Sequence, residues 1–154
     1  MNIFEITDQV RTNEDAIQFL RDRGILRSLD NPPICDVCGD AMHIARRASI
    51  GDGVRWMCRR QVVGVRHKRT QSIRHGSFLE NSNLELKQFV MMAYFWAHGE
   101  SNANQESYCG LSAKPVVQWN QWFRDICSRH LIANPIRLGG IGTTVQIGTS
   151  QFLN

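Results

Sequence analysis

The tightest constraint in the sequence is the knuckle Cys35-Asp36-Val37-Cys38-Gly39, followed by a third cysteine at Cys58. Two cysteines separated by two residues put both thiols on one turn, and the glycine after them tolerates the backbone conformation needed beside a metal. A structural zinc asks for four sulfur or nitrogen ligands in a closed tetrahedron. No other cysteine lies near Cys58, so the fourth ligand must be a histidine. His67, in a Cys-x8-His arrangement, occupies the second-knuckle position. His43 and His75 are rivals: His43 lies too near the first knuckle to close a loop comfortably, and His75 lies beyond the expected end of the ribbon. The expectation is one structural Zn2+ held by Cys35, Cys38, Cys58 and His67. An odd total of five cysteines with a single CxxC pair, and an N-terminus lacking a secretory leader's basic end and apolar run, points to a reducing, intracellular setting. Cys109 and Cys127 read as small apolar residues buried in the helical part.

The segment around the knuckle needs such a staple. From Ile34 to about Thr70 the chain is short-stranded, with turn sites at Gly39, Gly51, Gly53 and Gly64 and a hairpin signal at Asp52-Gly53. Its apolar residues, Ile44, Ile50, Val54, Trp56, Val62, Val63 and Val65, make a thin core. The free energy of binding a metal would then be a large part of the folding energy of this segment.

Charge concentrates in the same place. Nine of the 18 basic residues (Arg46, Arg47, Arg55, Arg59, Arg60, Arg66, Lys68, Arg69, Arg74) fall between positions 46 and 74 with one acid, Asp52. That segment carries +8 of a net +4, leaving −4 for the rest of the chain. A basic module in an acidic frame suggests a polyanionic partner, duplex DNA first. The longest apolar run, Phe89 to Ala97, is far below the roughly 20 residues of a membrane span, so a membrane partner is not expected.

On either side of the ribbon the pattern is helical. Residues 13–24 read as an amphipathic helix with Asn13 as N-cap, Ile17 and Leu20 on its apolar stripe and Gly24 as its stop. The prolines of DNPPIC then mark a boundary. A second helix is expected from Ser82, with Ser82 and Glu85 as a capping box, and a short one over 103–109. Gly110-Leu111-Ser112 forms a turn, and Ser112 caps a helix to about Leu131, with Val116, Trp119, Phe123, Ile126 and Cys127 as its buried stripe. This succession suits a helix–turn–helix in which Lys114, Gln118 and Gln121 contact DNA. Residues 144–147 look like a lone strand. The fold class expected is α+β: an N-terminal helical segment (1–30), a zinc ribbon (31–75), a helix–turn–helix-like bundle (76–134) and a terminal strand (135–154).

The blocks CDVCG, VRWMCRR, VRHKRTQSIRHGSFLENSNLEL, AYFWAHG, GLSAKPVVQWNQWFRDIC and LGGIGTTVQIGTSQF occur in this order, and together they resemble the N-terminal half of Merlin-type transposases, relatives of the bacterial ISXO-group insertion sequences. SIRHGSF is the most specific of them, and the resemblance runs from about residue 13 to the end. It implies a zinc ribbon and a helix–turn–helix region ahead of a ribonuclease-H-like domain that cuts DNA with metal-bound acids. It also implies a nuclear protein acting on transposon terminal repeats. The family's first catalytic strand reads close to GGPGKxVEIDESKF. Here Gln146 stands at its first glutamate, Gly148 at the catalytic aspartate and Thr149 at the following glutamate. Neutral residues cannot hold the divalent cations of two-metal phosphoryl transfer. The resemblance thus implies a truncated, non-enzymatic DNA-binding protein. A zinc-ribbon module for protein–protein contact, using strand 144–152, and an accessory DNA-recognition subunit for a full-length transposase are the alternatives.

Overall fold

A computed structural model describes residues 1–137, 139–142 and 144. The chain divides into two units, Met1–Val116 and Val117 onward. The first carries two short helices, a three-stranded antiparallel sheet and two more helices: α1 (Ile3–Gln9), α2 (Asn13–Asp22), β1 (His43–Arg46), β2 (Val54–Val62), β3 (Val65–Ser72), α3 (Leu86–Ala97) and α4 (Asn102–Cys109). The last helix, α5 (Ala113–Ala133), starts in the first unit and makes up the described helical part of the second. The α+β class is as expected. Among the described residues no helix is long and apolar enough to cross a membrane.

Both N-terminal helices begin at reciprocal caps. The Asn2 side chain accepts from the Glu5 N–H while the Glu5 carboxylate accepts from the Asn2 N–H, and Thr12 and Asp15 do the same one helix later. The N-cap of α2 is therefore Thr12, not Asn13. The Asn13 side chain is left free to reach the loop before β2, where its Nδ2 donates to the Asp52 carbonyl at 2.8 Å. Ile6, Val10, Ala16, Ile17, Leu20 and Leu26 are buried, and α2 packs on α3, whose Leu86, Phe89, Val90 and Met92 are buried too. The helix α3 starts at Leu86, later than the sequence predicts. Its N-cap Glu85 makes no side-chain cap bond, and Ser82 Oγ accepts instead from the Leu84 N–H at 3.1 Å.

The sheet order is β1-β2-β3. The hairpin between β1 and β2 closes through a loop over 47–53, where the Arg47 N–H donates to the Gly53 carbonyl at 2.7 Å. The hairpin between β2 and β3 is tighter. Val62 pairs with Val65, and Val63-Gly64 alone makes the turn, at φ +49° and +79°. Such a turn needs positive φ at both central residues, which glycine tolerates and a β-branched residue does not. A strain of about 1–3 kcal/mol is the usual cost of such a placement.

Sheet and helices are tied by one buried cluster. Arg74, just past β3, donates from Nε and Nη2 to Asp52 at 2.8 and 2.5 Å and from Nη1 to the Ser82 carbonyl at 2.9 Å. Asp52 is the acceptor for Asn13 through its own carbonyl. This cluster thus joins the 47–53 loop, the end of β3, the lead-in to α3 and the first turn of α2.

In the second unit, Trp119 lies edge-on to Trp122, with ring centroids 4.7 Å apart, and tilted against Phe123. Ile126 and Cys127 are exposed rather than part of a buried stripe. Of the expected terminal strand, Thr144 is described and is not in a strand; 145–152 lie outside the described residues.

Candidate metal centre

The knuckle folds as its composition dictates. The Cys35 N–H donates to the Asp40 carbonyl at 2.8 Å and the Gly39 N–H to the Cys35 carbonyl at 3.0 Å, with Ile34 bridged to Ala41. Gly39 takes φ +73°, a conformation that would strain any side chain. The turn brings Cys35 and Cys38 over the sheet face that carries Cys58 of β2 and His67 of β3. The register places Cys58 opposite Arg69 and Arg60 opposite His67, so all four point to that face.

One ligand atom from each of Cys35, Cys38, Cys58 and His67 lies within 4.8 Å of every other. His67 Nε2 sits 3.6 Å from Cys35 Sγ and 3.5 Å from Cys58 Sγ, and the Cys38 and Cys58 sulfurs are 3.5 Å apart. Around a tetrahedral ion with bonds of about 2.3 Å to sulfur and 2.0–2.1 Å to nitrogen, the edges come to about 3.8 Å for two sulfurs and 3.6 Å for sulfur and nitrogen. The site therefore fits a tetrahedral metal ion. Of the candidate fourth ligands, His67 belongs to the cluster, while His75 Nδ1 pairs with Glu80 at 2.7 Å and His43 is exposed on β1.

The thiols differ in their electrostatics. For Cys35, burial pushes the thiol up, but the backbone N–H groups of Val37 and Cys38 and the neighbouring Cys38 and His67 side chains outweigh it and bring it down to about 7. For Cys58, burial and the adjacent Cys38 and Cys35 sulfurs all act upward, to about 12. Three crowded thiols cannot all ionise without a cation between them, and a metal would supply that charge here. Cys109 is buried in α4, where burial raises its thiol as well.

The basic residues of 46–74 separate into four groups that the sequence does not distinguish. Arg60 and Arg69 share the face of the Cys/His cluster and pair with two acids in and just after the knuckle, Asp40 at 3.2 Å and Asp36 at 3.3 Å. Arg74 is buried against Asp52, the one acid of the basic segment, and presents no charge to a ligand; its expected role on DNA is corrected accordingly. Arg55, Arg59, Arg66 and Lys68 lie on the opposite face, since Arg55 pairs with Ser72, Arg59 with Lys68 and Gln61 with Arg66. None of these four has a hydrogen-bonding or ionic side-chain partner among the described residues. The same holds for Arg46 and Arg47 near the first hairpin loop. On α5, Lys114, Gln118 and Gln121 are exposed, but Gln121 already donates to Asp125 at 2.9 Å and accepts from Arg124 at 3.0 Å.

No protein-family model, curated protein or solved structure matches this chain.

Proposed function

We propose that this chain is a zinc-stapled DNA-binding protein without catalytic activity, as its resemblance to Merlin-type transposases implies. The observation that carries the reading is the division of cations across the sheet. Two acids neutralise the arginines beside the metal site, whereas Arg55, Arg59, Arg66 and Lys68 share one face without an acid. Arg59 and Lys68 stand directly opposite each other, a like-charge pairing that costs stability in an isolated sheet. Lysines and arginines on an edge strand such as β3 also discourage sheet-to-sheet association. That explanation does not extend to Arg55, where β2 is flanked on its other side by β1 through the Ala45 pairing. A row of phosphates accounts for all four.

Zinc is the metal that suits three thiolates and an imidazole in a tetrahedron. Held by Cys35, Cys38, Cys58 and His67, it would neutralise the thiolates and fix β2 and β3 to the knuckle, a structural role. Catalysis is not proposed, because Gly148 occupies the position of the family's first catalytic aspartate. The helix α5 adds Lys114 and Gln118 as further polar contacts, and terminal repeats of a transposon in the nucleus are the setting that the resemblance suggests.

Fluorescence anisotropy of the zinc-loaded protein on short duplex DNA at several salt concentrations tests the proposal. Four phosphate contacts give a log–log salt slope of about −3.6. Absence of binding at low salt overturns it.

A further inference from the structure

We infer that the tip of the β2–β3 ribbon, Val62-Val63-Gly64-Val65, is the part of this chain that enters the major groove of duplex DNA, with Val63 against base edges and Arg59, Arg66 and Lys68 on the flanking phosphates. The inference rests on the DNA-binding reading above and specifies its contact point.

Two independent features meet at these four residues. The first is backbone conformation: Val63 is held at φ +49°, where asparagine, aspartate or glycine would sit without strain. The second is exposure: Val63 is 97% and Val65 69% accessible, so the strained side chain gains nothing from packing within the chain. Strain retained in a side chain that contributes no internal contact points to a contact made outside the chain. An apolar group at the tip of a cationic ribbon has a natural target in the thymine methyl groups, which line the major groove, and a two-stranded ribbon fits that groove's width of about 12 Å.

The spread of charge favours DNA over a lipid surface, the other polyanion that accepts an apolar tip. At about 3.3 Å per residue, Arg59 lies about 13 Å and Arg55 about 26 Å along the ribbon from Val63. Screening confines attraction to a membrane plane within about 8–10 Å. A ribbon standing tip-down on a bilayer would leave Arg55 and Arg59 out of reach. A ribbon lying along a groove uses them all, because phosphates border it throughout.

Val63→Asn is the informative substitution, since asparagine accepts the positive φ. The thermal midpoint of the zinc-loaded variant is expected to rise. Its affinity for a mixed-sequence DNA duplex is expected to fall about tenfold, with the salt slope unchanged because every cation remains. A variant that binds the duplex as tightly as the parent overturns the tip assignment while the parent's salt-dependent binding keeps the DNA reading intact. A parent that binds no duplex at low salt removes that reading itself. Binding of the parent to phosphatidylserine vesicles but not to duplex, lost in Val63→Asn, overturns the inference in favour of a membrane.

Discussion

Replacing Asp52 with alanine should destabilise the first unit by about 3–5 kcal/mol, the usual effect of removing one member of a buried ion pair. The side chains of Asp52 and Arg74 are 12% and 10% exposed. The substitution removes both charged hydrogen bonds, at 2.8 and 2.5 Å, and leaves the guanidinium with the Ser82 carbonyl alone. Asn13 keeps its bond, because its acceptor is the Asp52 backbone carbonyl. The loss therefore reports the stranded charge rather than the whole junction. Against a total stability of about 5–15 kcal/mol, and with a urea slope of about 2 kcal/mol per molar, the midpoint should fall by about 2 M. The double variant Asp52→Leu with Arg74→Met should recover most of the loss, since a well-packed apolar pair often replaces a buried ion pair without penalty. Urea titration followed by far-UV circular dichroism reads all three proteins. A single-variant loss below about 1 kcal/mol, or a double variant no better than the single one, would refute the assignment of this pair as the tie between sheet and helices. The recovered double variant should also keep the parent's salt slope on DNA, because Arg74 is buried and faces no phosphate.

Replacing Arg59 and Lys68 together with glutamine should leave folding stability unchanged or raised by a few tenths of a kcal/mol, because like charges no longer oppose each other. The DNA salt slope of that variant should fall by about two, as anisotropy would show. Chelating the metal should release the outer ribbon, residues 59–68, to hydrogen exchange while amides of α2 and α3 stay protected. Those helices have their own buried core in Ile17, Leu20, Leu86 and Phe89. Equal deprotection of both regions would show that the metal supports the whole unit. Cobalt, as a spectroscopic substitute, should give the ligand-field bands of a tetrahedral thiolate site, and His67→Ala should alter them. Acid should fray α2: the Thr12 side chain and backbone, together with the nearby Arg11, outweigh burial and hold the Asp15 carboxyl below its ordinary value. A depressed carboxylate stabilises the fold above its unfolded value, near 4, and that contribution is lost as pH falls through the folded value. Thr12→Ala should weaken this pH dependence, measured by helical circular dichroism.

What can be read from the sequence is whatever depends on local spacing. The two knuckle cysteines, Cys58 and His67 meet because a CxxCG turn and two paired strands are short-range objects. The helix α4 and the turn at Gly110 follow likewise from local signals. The caps are less legible. Thr12 and Asn13 are both good N-caps, and only Thr12 has an acid three residues on, Asp15, to close a capping box; Asn13's bond to the Asp52 carbonyl across 39 positions is what no local pattern contains. The same distance limit explains why Arg74 reads as a DNA contact in sequence and is buried in the fold. Nine basic residues in one segment look equivalent on paper, but strand register sends Arg60 and Arg69 to one face and Arg55, Arg59, Arg66 and Lys68 to the other.

Asp52 does more than dilute the positive charge of its segment: it withdraws one arginine from the surface, as Asp36 and Asp40 engage two more. The useful quantity for a polyanion is therefore not the segment's +8. It is the set of cations that the fold leaves without an acid on a common face, and the Val63-Gly64 turn determines which residues those are. A hairpin shifted by one residue would exchange the faces of β3, setting Arg66 and Lys68 beside the knuckle and taking His67 from the metal. Metal ligation and the cationic face thus depend on one register. A glycine or asparagine at position 63 would hold that register at less conformational cost than valine does, so the turn by itself gives no reason for valine there; a role in binding does.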